Sequence, residues 1–377
     1  MGTKLDFLYL NEDDMLAAGV ADMGRCMSAM EDMFVLLDRG DYRMGGEDAN
    51  EHGIRVSFPK TSDIEGMPLH KPDYRFMAMP AYLGGRFHSF GIKSYGSNPD
   101  NQQKGLPRSI LMLTLMDTET GAPIAYMSAN ILSAMRTGAV SGLGAKYFAR
   151  KDARTVAVIG PGVMSRYTFK AIMEACPDID CVRVKGRSAC GVQRFIDDIQ
   201  RLFPNVSSFT VCDSVESACE DADIIFYGTT NAARFEDNPR VEYEWLKKGA
   251  VVISASALLT DTEFLARSDV KLIADNYKMY DGWGAGNPIP TQKNVSTLLG
   301  MGFYDAVTEG KIKRESITDL GAVICGEKTG RDSDDQIILY AVGGMPIEDV
   351  AWGFEIYKNA LLGGIGTKLK LWDVPKL

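Results

Sequence analysis

An apolar run that ends in a glycine-rich turn constrains the fold more than any other feature of this chain. Residues 155–160 read TVAVIG, as in a buried parallel strand, and continue directly into Gly160-Pro161-Gly162-Val163-Met164-Ser165. In dinucleotide-binding folds the first glycine permits a tight turn, and the second lets the backbone approach a pyrophosphate. The N-terminus of the following helix then offers free N–H groups to that anion. Because a glycine-rich turn alone is weak evidence, its context decides the interpretation.

A regular alternation of strand-like and helix-like segments follows this turn. The strand-like segments read CVRVKG, SFTVC, DIIFYGTT, GAVVISAS and VKLIAD, and helical stretches separate the first of them. Strands joined in this way form a parallel sheet through right-handed crossovers. The sequence therefore predicts an α/β fold with a doubly wound parallel Rossmann sheet, in which the glycine-rich turn is a candidate cofactor site.

The end of the second strand of this pattern indicates which cofactor is preferred. NAD-binding folds usually place an Asp or Glu there to hydrogen-bond the ribose 2′-hydroxyl, whereas this chain has Lys185-Gly186-Arg187-Ser188. Two cations and a hydroxyl suit a 2′-phosphate, which an aspartate would repel. A solvated basic turn is the simpler alternative. With the glycine-rich turn upstream, the sequence favours NADP(H) and leaves NAD(H) possible.

Composition excludes several other classes of function. The 377 residues include 45% hydrophobic and 24% charged residues, which is ordinary for a globular protein. The net charge of −9 argues against a nucleic-acid partner, which would need a basic face. The seven cysteines form no close pairs and only three histidines accompany them, so we expect reduced thiols and no metal site. Without an apolar span or a leader-like N-terminus, we expect a cytoplasmic protein without membrane partners.

The segment before the nucleotide pattern contains the remaining candidate chemistry. Two strand-like runs, 90–94 and 109–116, flank a loop rich in Gly, Pro and Asn, and a small-residue helix over about 129–148 follows. This helix ends just before the TVAVIG run. We therefore expect a substrate-binding half of the chain to meet the cofactor-binding half here.

Taken together, these motifs resemble the ornithine cyclodeaminase/μ-crystallin family over nearly the full chain. The matching pieces are Met79-Pro80, Gly91-Ile92-Lys93, Pro99 with Asn101, Gly105-Leu106-Pro107, Asp117 with Thr120-Gly121 and Pro123, Arg136-Thr137 with Ala139, Ala149-Arg150, the Gly160 turn and Glu348-Asp349. Within the family, the LYLN start, MPAYLGG, VEYEWLKKGA and the IGTKLKL tail are most similar to the branch of N-(2-amino-2-carboxyethyl)-glutamate dehydrogenases. Order and spacing together make the family resemblance specific.

The resemblance implies an organisation in two domains. A substrate-binding and dimerisation domain of α+β type would comprise residues 1–132 and 327–377, with a Rossmann domain over 133–326 inserted between them. The resemblance also implies that two copies of the chain associate as a homodimer. Gly343 and Gly344 would then let the backbone pass close to the nicotinamide.

The resemblance also implies the site residues. Arg55, Lys93 and Arg136 would gather around the substrate carboxylate, with Met79, Arg108 and Gly344 as further substrate contacts. Physical chemistry agrees, because an amino or imino acid needs a cation for its carboxylate, and neighbouring arginines lower the pKa of a lysine toward neutrality. Lys93 is the candidate acid/base. Beyond the glycine-rich turn, the candidate cofactor-binding residues are Arg136, Thr137, Arg187, Ser188, Thr229, Thr230, Ser254 and Ser256.

Two departures from the family pattern bear on the reaction. The aspartate that handles the substrate amine in cyclodeaminases falls at Ala257, and Asp261 is either a displaced substitute or an ordinary loop residue. The family's hydroxyl residue after Leu-Pro becomes Arg108, which would suit a second substrate carboxylate. We expect an NAD(P)-dependent oxidoreductase that acts on the C–N bond of an amino or imino acid, with a 2-oxo acid as product or reactant. A cyclodeaminase-type lyase, a cyclic ketimine reductase and a non-catalytic NADP(H)-binding protein remain alternatives.

Overall fold

The computed structural model describes residues 3–376, which divide into two compact units. One unit comprises Met1–Arg136 with Met345–Leu377, and the other comprises Thr137–Gly344. The sequence placed these boundaries at 132/133 and 326/327. The second observed boundary lies later because the strand Ile337–Ala341 hydrogen-bonds to two strands of the nucleotide-binding sheet and so belongs to the inserted unit.

The strands are β1 (Leu5–Leu10), β2 (Tyr42–Met44), β3 (Ile54–Val56), β4 (Arg75–Leu83), β5 (Ser89–Ser97), β6 (Ser109–Met116), β7 (Pro123–Ser128), β8 (Thr155–Ile159), β9 (Cys181–Lys185), β10 (Ser208–Val211), β11 (Ile224–Tyr227), β12 (Val251–Ser254), β13 (Val270–Ala274), β14 (Ile317–Asp319), β15 (Ile337–Ala341) and β16 (Thr367–Trp372). The helices are α1 (Glu12–Ala17), α2 (Met23–Asp38), α3 (Asn130–Phe148), α4 (Val163–Ala175), α5 (Ala189–Leu202), α6 (Val215–Cys219), α7 (Thr262–Leu265), α8 (Tyr277–Gly284), α9 (Thr291–Asn294), α10 (Leu299–Thr308), α11 (Leu320–Ile324) and α12 (Pro346–Gly363).

The first unit is built on a mixed sheet of eight strands. Its order is β16-β1-β7-β6-β5-β4-β2, and β3 pairs with β4. Along β5 the odd-numbered residues Ser89, Gly91 and Lys93 are buried, while the intervening residues are more exposed. Because successive side chains alternate between the faces of a strand, the sheet has a covered inner face and a more exposed outer face.

Helix α12 packs closely on the inner face because glycines at the contact leave no side chain between the helix and the sheet. A Cβ on Gly91 of β5 would lie 2.7 Å from Cγ2 of Val350, and a Cβ on Gly353 would meet the Leu113 side chain of β6. Trp352 is fully buried on the same helix, and its Nε1 donates a hydrogen bond to the Val20 carbonyl at 3.2 Å. This close approach brings the first turn of α12 down to the middle of β5.

The second unit contains the predicted doubly wound sheet. Its strand order is β10-β9-β8-β11-β12-β15-β13-β14, and all of its neighbours are parallel. The first five positions follow the Rossmann order, in which the chain reverses direction across the sheet between β8 and β11. The strands at this reversal are almost wholly buried, which explains their uninterrupted apolar sequences. The α/β prediction is confirmed.

Within residues 3–376, the structure contains no helix that is both long and apolar enough to cross a lipid bilayer.

Candidate active site

Two adjacent carboxylates are buried in the first turn of α12. Glu348 and Asp349 are both fully buried, and the Met345 amide donates a hydrogen bond to Glu348 Oε1 at 2.9 Å. The N-terminal end of a helix favours negative charge, but that effect alone is small compared with the cost of burying a carboxylate. These two groups therefore need counter-charges.

Arg136 of α3 and Lys93 of β5 supply those counter-charges. Arg136 donates from Nη1 to Glu348 Oε2 at 2.5 Å and from Nε to Asp349 Oδ1 at 3.0 Å. Lys93 Nζ lies 2.6 Å from Asp349 Oδ2, as an ion pair without hydrogen-bond alignment, and donates to Ser133 Oγ at 3.3 Å. Lys93 and Arg136 are 3% and 5% exposed, so the four charges form a nearly dry cluster.

The cluster gives Lys93 an unusual acidity. Burial lowers the pKa of Lys93, and the Arg136 charge lowers it further, while Asp349 and Glu348 act in the opposite direction. The resulting pKa is about 8, which lets the ammonium release and regain a proton near neutral pH. For Arg136, burial also lowers the pKa, but the two carboxylates outweigh it and the pKa is raised. Arg136 therefore stays charged.

The structure brings Lys93, Arg136 and Met79 together. Met79 is buried on β4 directly opposite Lys93. Arg55 lies opposite Met77, which places it on the same inner face as Lys93 but one residue pair further along. Arg55 is exposed, and among residues 3–376 it makes no ion pair or hydrogen bond to another side chain. Among the described residues Arg55 is thus an unpaired cation on the same sheet face as Lys93, two strands away from it.

Arg108 and Gly344 have different surroundings. Arg108 pairs with Asp73, with Nη1 and Oδ2 separated by 3.3 Å. Gly344 has a φ of +79°, and its amide donates to Asp275 Oδ2 at 3.0 Å. The Gly343 amide donates to the same oxygen at 2.7 Å, so the buried Asp275 fixes the glycine turn after β15.

Sequence reasoning assigned no role to Glu348, Asp349 or Asp275. The first two appeared only as a matching motif. A signal was present in the sequence, namely two consecutive acidic residues within the otherwise apolar stretch MPIEDVAWGF. No other polar side chain occurs in this stretch. Asp275 had no such pattern, because an aspartate after a strand is common in turns.

The second unit contains a cleft of about 420 Å³ at the ends of β8, β9 and β11. Its lining comprises Ile159, Gly160, Pro161, Gly162, Lys185, Gly186, Arg187, Ser188, Gly191, Val215, Gly228, Thr229, Thr230, Ala232, Asp237 and Pro239. Ligands of doubly wound sheets bind at this reversal of strand order. The cleft is therefore the candidate cofactor site.

The glycine-rich turn fits a pyrophosphate. Gly160 has a φ of +85°, and a Cβ there would lie 2.8 Å from Thr229 Cγ2, so only glycine is tolerated. Ser165 is buried and its hydroxyl donates to the Gly160 carbonyl at 2.5 Å, which fixes the turn. No side chain caps the first turn of α4, which begins at Val163 and Met164, so its amides suit an anion.

At the basic end of the cleft, some of the polar side chains already make hydrogen bonds within the protein. Lys185 Nζ donates to the Asp213 carbonyl, and the Ser188 hydroxyl accepts from the Gly191 amide at 3.2 Å as the cap of α5. Arg187 Nη2 lies 3.4 Å from Thr230 Oγ1. The Arg187 side chain thus projects at the cleft with one weak contact.

Four other predicted cofactor residues have mainly internal contacts. Ser254 is buried and donates to the Ser256 carbonyl at 3.0 Å, while Ser256 donates to the Tyr227 carbonyl at 3.0 Å. The Thr229 amide donates to Ser256 Oγ at 3.1 Å. Thr137 is half-buried, and its carbonyl accepts from Ser141. Of these four, only Thr229 lines the cleft.

No carboxylate stands at Ala257, and Asp261 is engaged elsewhere. Ala257 is fully buried and bridges to Leu298. The Asp261 side chain is 60% exposed and pairs with Arg240 at 2.8 Å. Neither position therefore supplies a buried carboxylate.

Comparison with known proteins places this architecture in a family. Residues 20–364 match the model of the ornithine cyclodeaminase/mu-crystallin family. The N-((2S)-2-amino-2-carboxyethyl)-L-glutamate dehydrogenase of Staphylococcus aureus is 32% identical over 300 residues, which cover 79% of this chain and 82% of that protein. A Delta(1)-pyrroline-2-carboxylate reductase of Bacillus cereus is 28% identical over 81% of this chain and 87% of the relative.

A solved structure agrees with these sequence relatives. An archaeal alanine dehydrogenase dimer with bound NAD superposes with a TM-score of 0.76 at 26% identity, over 98% of this chain and 100% of that one. The family model covers most of the chain, and the resemblance drawn from the motifs is confirmed. This chain belongs to the ornithine cyclodeaminase/mu-crystallin family.

Proposed function

We propose that this protein is a nicotinamide-dependent oxidoreductase that acts on the C–N bond of an amino or imino acid. The reaction would oxidise an opine-like secondary amine to an imine, which water hydrolyses to an amine and a 2-oxo acid, or run in reverse. The observation that carries this proposal is the buried Lys93, whose pKa of about 8 and pairing with Asp349 suit proton transfer at a reacting nitrogen. The dehydrogenase and reductase relatives act on compounds of the same class, as their names state.

Binding of the α-carboxylate is assigned to Arg55. The Nε and Nη1 groups of Arg136 already donate hydrogen bonds to Asp349 and Glu348. We therefore assign Arg136 the role of holding the cluster together and of lowering the pKa of Lys93. Arg55 is exposed on the same sheet face and unpaired among the described residues. A guanidinium offers a two-pronged contact to a carboxylate, which would orient the α-carbon.

A nicotinamide cofactor held at the cleft of the glycine-rich turn would supply the hydride chemistry, as an acceptor in oxidation and as a donor in reduction. In oxidation, neutral Lys93 takes a proton from the substrate ammonium, because the nitrogen needs a free electron pair to form the C=N bond as the hydride leaves the α-carbon. In hydrolysis, water adds to the imine carbon, the C–N bond breaks, and protonated Lys93 can return its proton to the leaving nitrogen. Each role needs both protonation states of Lys93 near neutral pH.

The first prediction separates this reaction from cyclodeamination. With L-ornithine and a catalytic amount of oxidised cofactor, we expect no proline and little ammonia, because Ala257 cannot act as a base and Asp261 is ion-paired at the surface. With N-(2-amino-2-carboxyethyl)-L-glutamate, the reduced nicotinamide absorbance should rise in step with 2-oxo acid. Proline formation without net absorbance change would contradict the proposal, and activity only on cyclic imines would favour the ketimine reductase.

The second prediction concerns pH. The log of kcat/KM for oxidation should rise with pH and level off above about 8, because only neutral Lys93 accepts a proton. Asp349→Asn removes a carboxylate that favours the charged form, so the midpoint should move to lower pH. Lys93→Met should reduce kcat by roughly 10²- to 10⁴-fold.

Glu348→Gln is the matched control. Glu348 hydrogen-bonds to Arg136, and its charge affects the pKa of Lys93 less than the charge of Asp349 does. This variant should shift the midpoint less than Asp349→Asn does. Cys26 on α2 interacts electrostatically with Arg136 and Glu348, and burial raises its pKa well above the usual value, so it stays a neutral thiol in this pH range. A midpoint that stays fixed or rises in Asp349→Asn would rule out the assignment.

The third prediction concerns the cofactor. We propose a preference for NADP(H), supported by Lys185 and Arg187 at the cleft and by the absence of an acidic side chain between them. NADPH should bind about 10- to 100-fold more tightly than NADH, as expected for charge-assisted phosphate contacts. Arg187→Asp should reverse the preference between NADPH and NADH. The control is Arg194→Ala, which removes a cation on α5 that contacts Cys190 and should leave the preference unchanged. Equal dissociation constants in fluorescence titration would exclude the preference.

A homodimer is proposed from the outer face of the first sheet. Large apolar side chains are exposed there, namely Phe76, Phe90, Ile110, Tyr126 and Leu369. Their alternation with the buried inner-face residues puts them on one surface across five strands. Several large apolar side chains exposed on one face often mark an interface, and the related alanine dehydrogenase is a dimer.

The fourth prediction tests this face by light scattering. The full chain should have twice the monomer mass, and the double variant Phe90→Glu, Ile110→Lys should have the monomer mass while it retains its circular dichroism. Leu362→Glu is the control, because Leu362 is 87% exposed near the end of α12, a helix that packs on the inner face of the sheet. A dimer that survives the double variant would place the interface elsewhere.

A further inference from the structure

A carboxylate without a counter-charge is buried directly after β13 in the second unit. Asp275 is fully buried, and within residues 3–376 it forms no ion pair. Its Oδ2 accepts hydrogen bonds from the amides of Gly343 and Gly344, at 2.7 and 3.0 Å. Its Oδ1 accepts from the Asn276 amide at 2.9 Å and from the Tyr280 hydroxyl at 3.0 Å. Four neutral donors thus replace the water or the cation that a buried carboxylate otherwise needs.

The Asp275 carboxylate and the glycine turn depend on each other. Burial raises the pKa of Asp275, and this effect exceeds the lowering by its four hydrogen-bond donors, of which the two glycine amides act most strongly. A buried backbone amide is in turn costly to leave without an acceptor. Loss of the carboxylate would therefore release the turn, and loss of the turn would leave a poorly solvated buried charge.

The hydrogen-bond ladder of β15 ends just before this turn. The Val342 amide donates to the Ser254 carbonyl at 2.9 Å, which extends the pairing of β15 with β12 by one residue. The amides of Gly343 and Gly344 come next, and both donate to the Asp275 side chain. Asp275 follows β13, the strand on the other side of β15. The turn is therefore tied to the sheet through this one carboxylate oxygen.

Neither glycine has a side chain of its own that could hold the turn. Gly344 has a φ of +79°, which disfavours any other residue. A Cβ on Gly343 would lie 2.4 Å from Met279 Cε and 2.8 Å from the Tyr280 hydroxyl oxygen, so α8 packs directly against the backbone here. Gly343 is only half-buried. The turn thus presents bare backbone at the edge of the sheet, and Asp275 and α8 set its position.

This turn lies on the side of the sheet where a nicotinamide is expected. The cleft lies at the ends of β8, β9 and β11, with Lys185 and Arg187 on its β9 side. A dinucleotide crosses a doubly wound sheet with one half on each side of the reversal of strand order. An adenosine half toward β9 therefore leaves the nicotinamide half over β11, β12 and β15. The end of β15 is two strand spacings, or about 10 Å, from that of β11.

We propose that Asp275 is a positioning residue for the nicotinamide half of the cofactor. It holds the Gly343–Gly344 turn where the backbone of the turn borders the nicotinamide, and the buried carboxylate itself does not touch the cofactor. The inference rests on the proposed function for the identity of the cofactor. It adds a residue that lies outside the buried charge cluster and outside the glycine-rich turn.

The test compares binding of the whole cofactor with binding of its adenosine half. The full chain is titrated calorimetrically with NADPH and 2′,5′-ADP, and with NADH and ADP, so that each pair differs by the nicotinamide half. Asp275→Leu keeps the approximate size of the side chain but removes the acceptor. It should raise the Kd of the whole cofactor about 10-fold and change the Kd of the adenosine half by less than about 2-fold.

Two further variants separate the positioning role from general stability. In Asp275→Asn, the amide oxygen can still accept from both glycine amides while its NH₂ group donates to the Tyr280 hydroxyl, so most of the affinity for the whole cofactor should return. Tyr280→Phe removes a hydrogen bond to the other carboxylate oxygen and leaves the glycine amides in place. It should leave the Kd of every ligand within about 2-fold of the unaltered value.

Circular dichroism melting checks that each variant folds. Asp275→Ser leaves room for water and is expected to show the same selective loss as Asp275→Leu, because its hydroxyl is too short to reach both glycine amides. It replaces Asp275→Leu if the leucine variant does not fold.

The outcomes distinguish this inference from the proposed function. Equal weakening of the whole cofactor and of its adenosine half, or no weakening of either, would overturn the role of Asp275 and leave the proposed function intact. A selective loss in a protein that turns over no amino or imino acid would sustain the role and refute the oxidoreductase. If the unaltered chain bound neither NADPH nor NADH, both would be refuted.

Discussion

The buried cluster of Lys93, Arg136, Glu348 and Asp349 is the interaction on which the first unit depends. Four charges from three separated segments lie in nearly dry surroundings, where each is tolerable only beside its partners. Loss of one partner would leave an uncompensated charge, at a cost of about 3–5 kcal/mol. The same mutual dependence sets the pKa of Lys93, so stability and chemistry rest on one set of contacts.

Close packing of α12 makes that cluster possible. Gly91 and Gly353 let the helix approach β5 and β6, and Trp352 anchors it near α1 through the Val20 carbonyl. The helix N-terminus then points its two carboxylates at the sheet. A larger residue at either glycine would lift the helix and separate Asp349 from Lys93, although neither glycine belongs to the cluster itself.

The second unit follows a different principle, in which a local turn creates the site. Gly160 bends the chain at the end of β8, Ser165 fixes the bend, and the start of α4 presents its amides. Each of these groups lies within a few residues of the others. Consecutive residues therefore define the candidate phosphate site, whereas the charge cluster of the first unit needs residues from the beginning, the middle and the end of the chain.

The sequence by itself determined what local pattern and residue type can determine. Uninterrupted apolar strands and the glycine-rich turn specified the parallel sheet and its candidate cofactor end. The motif around Lys93 and Arg136 identified the family and two members of the buried charge cluster. The assignment of β15 was missed because an apolar strand near a domain boundary is compatible with either sheet, and only its hydrogen bonds to β12 and β13 decide. Likewise, the sequence contained Glu348, Asp349 and Asp73 without indicating their partners. Ion pairs between distant segments depend on which helix lies on which strand, and packing in three dimensions decides that.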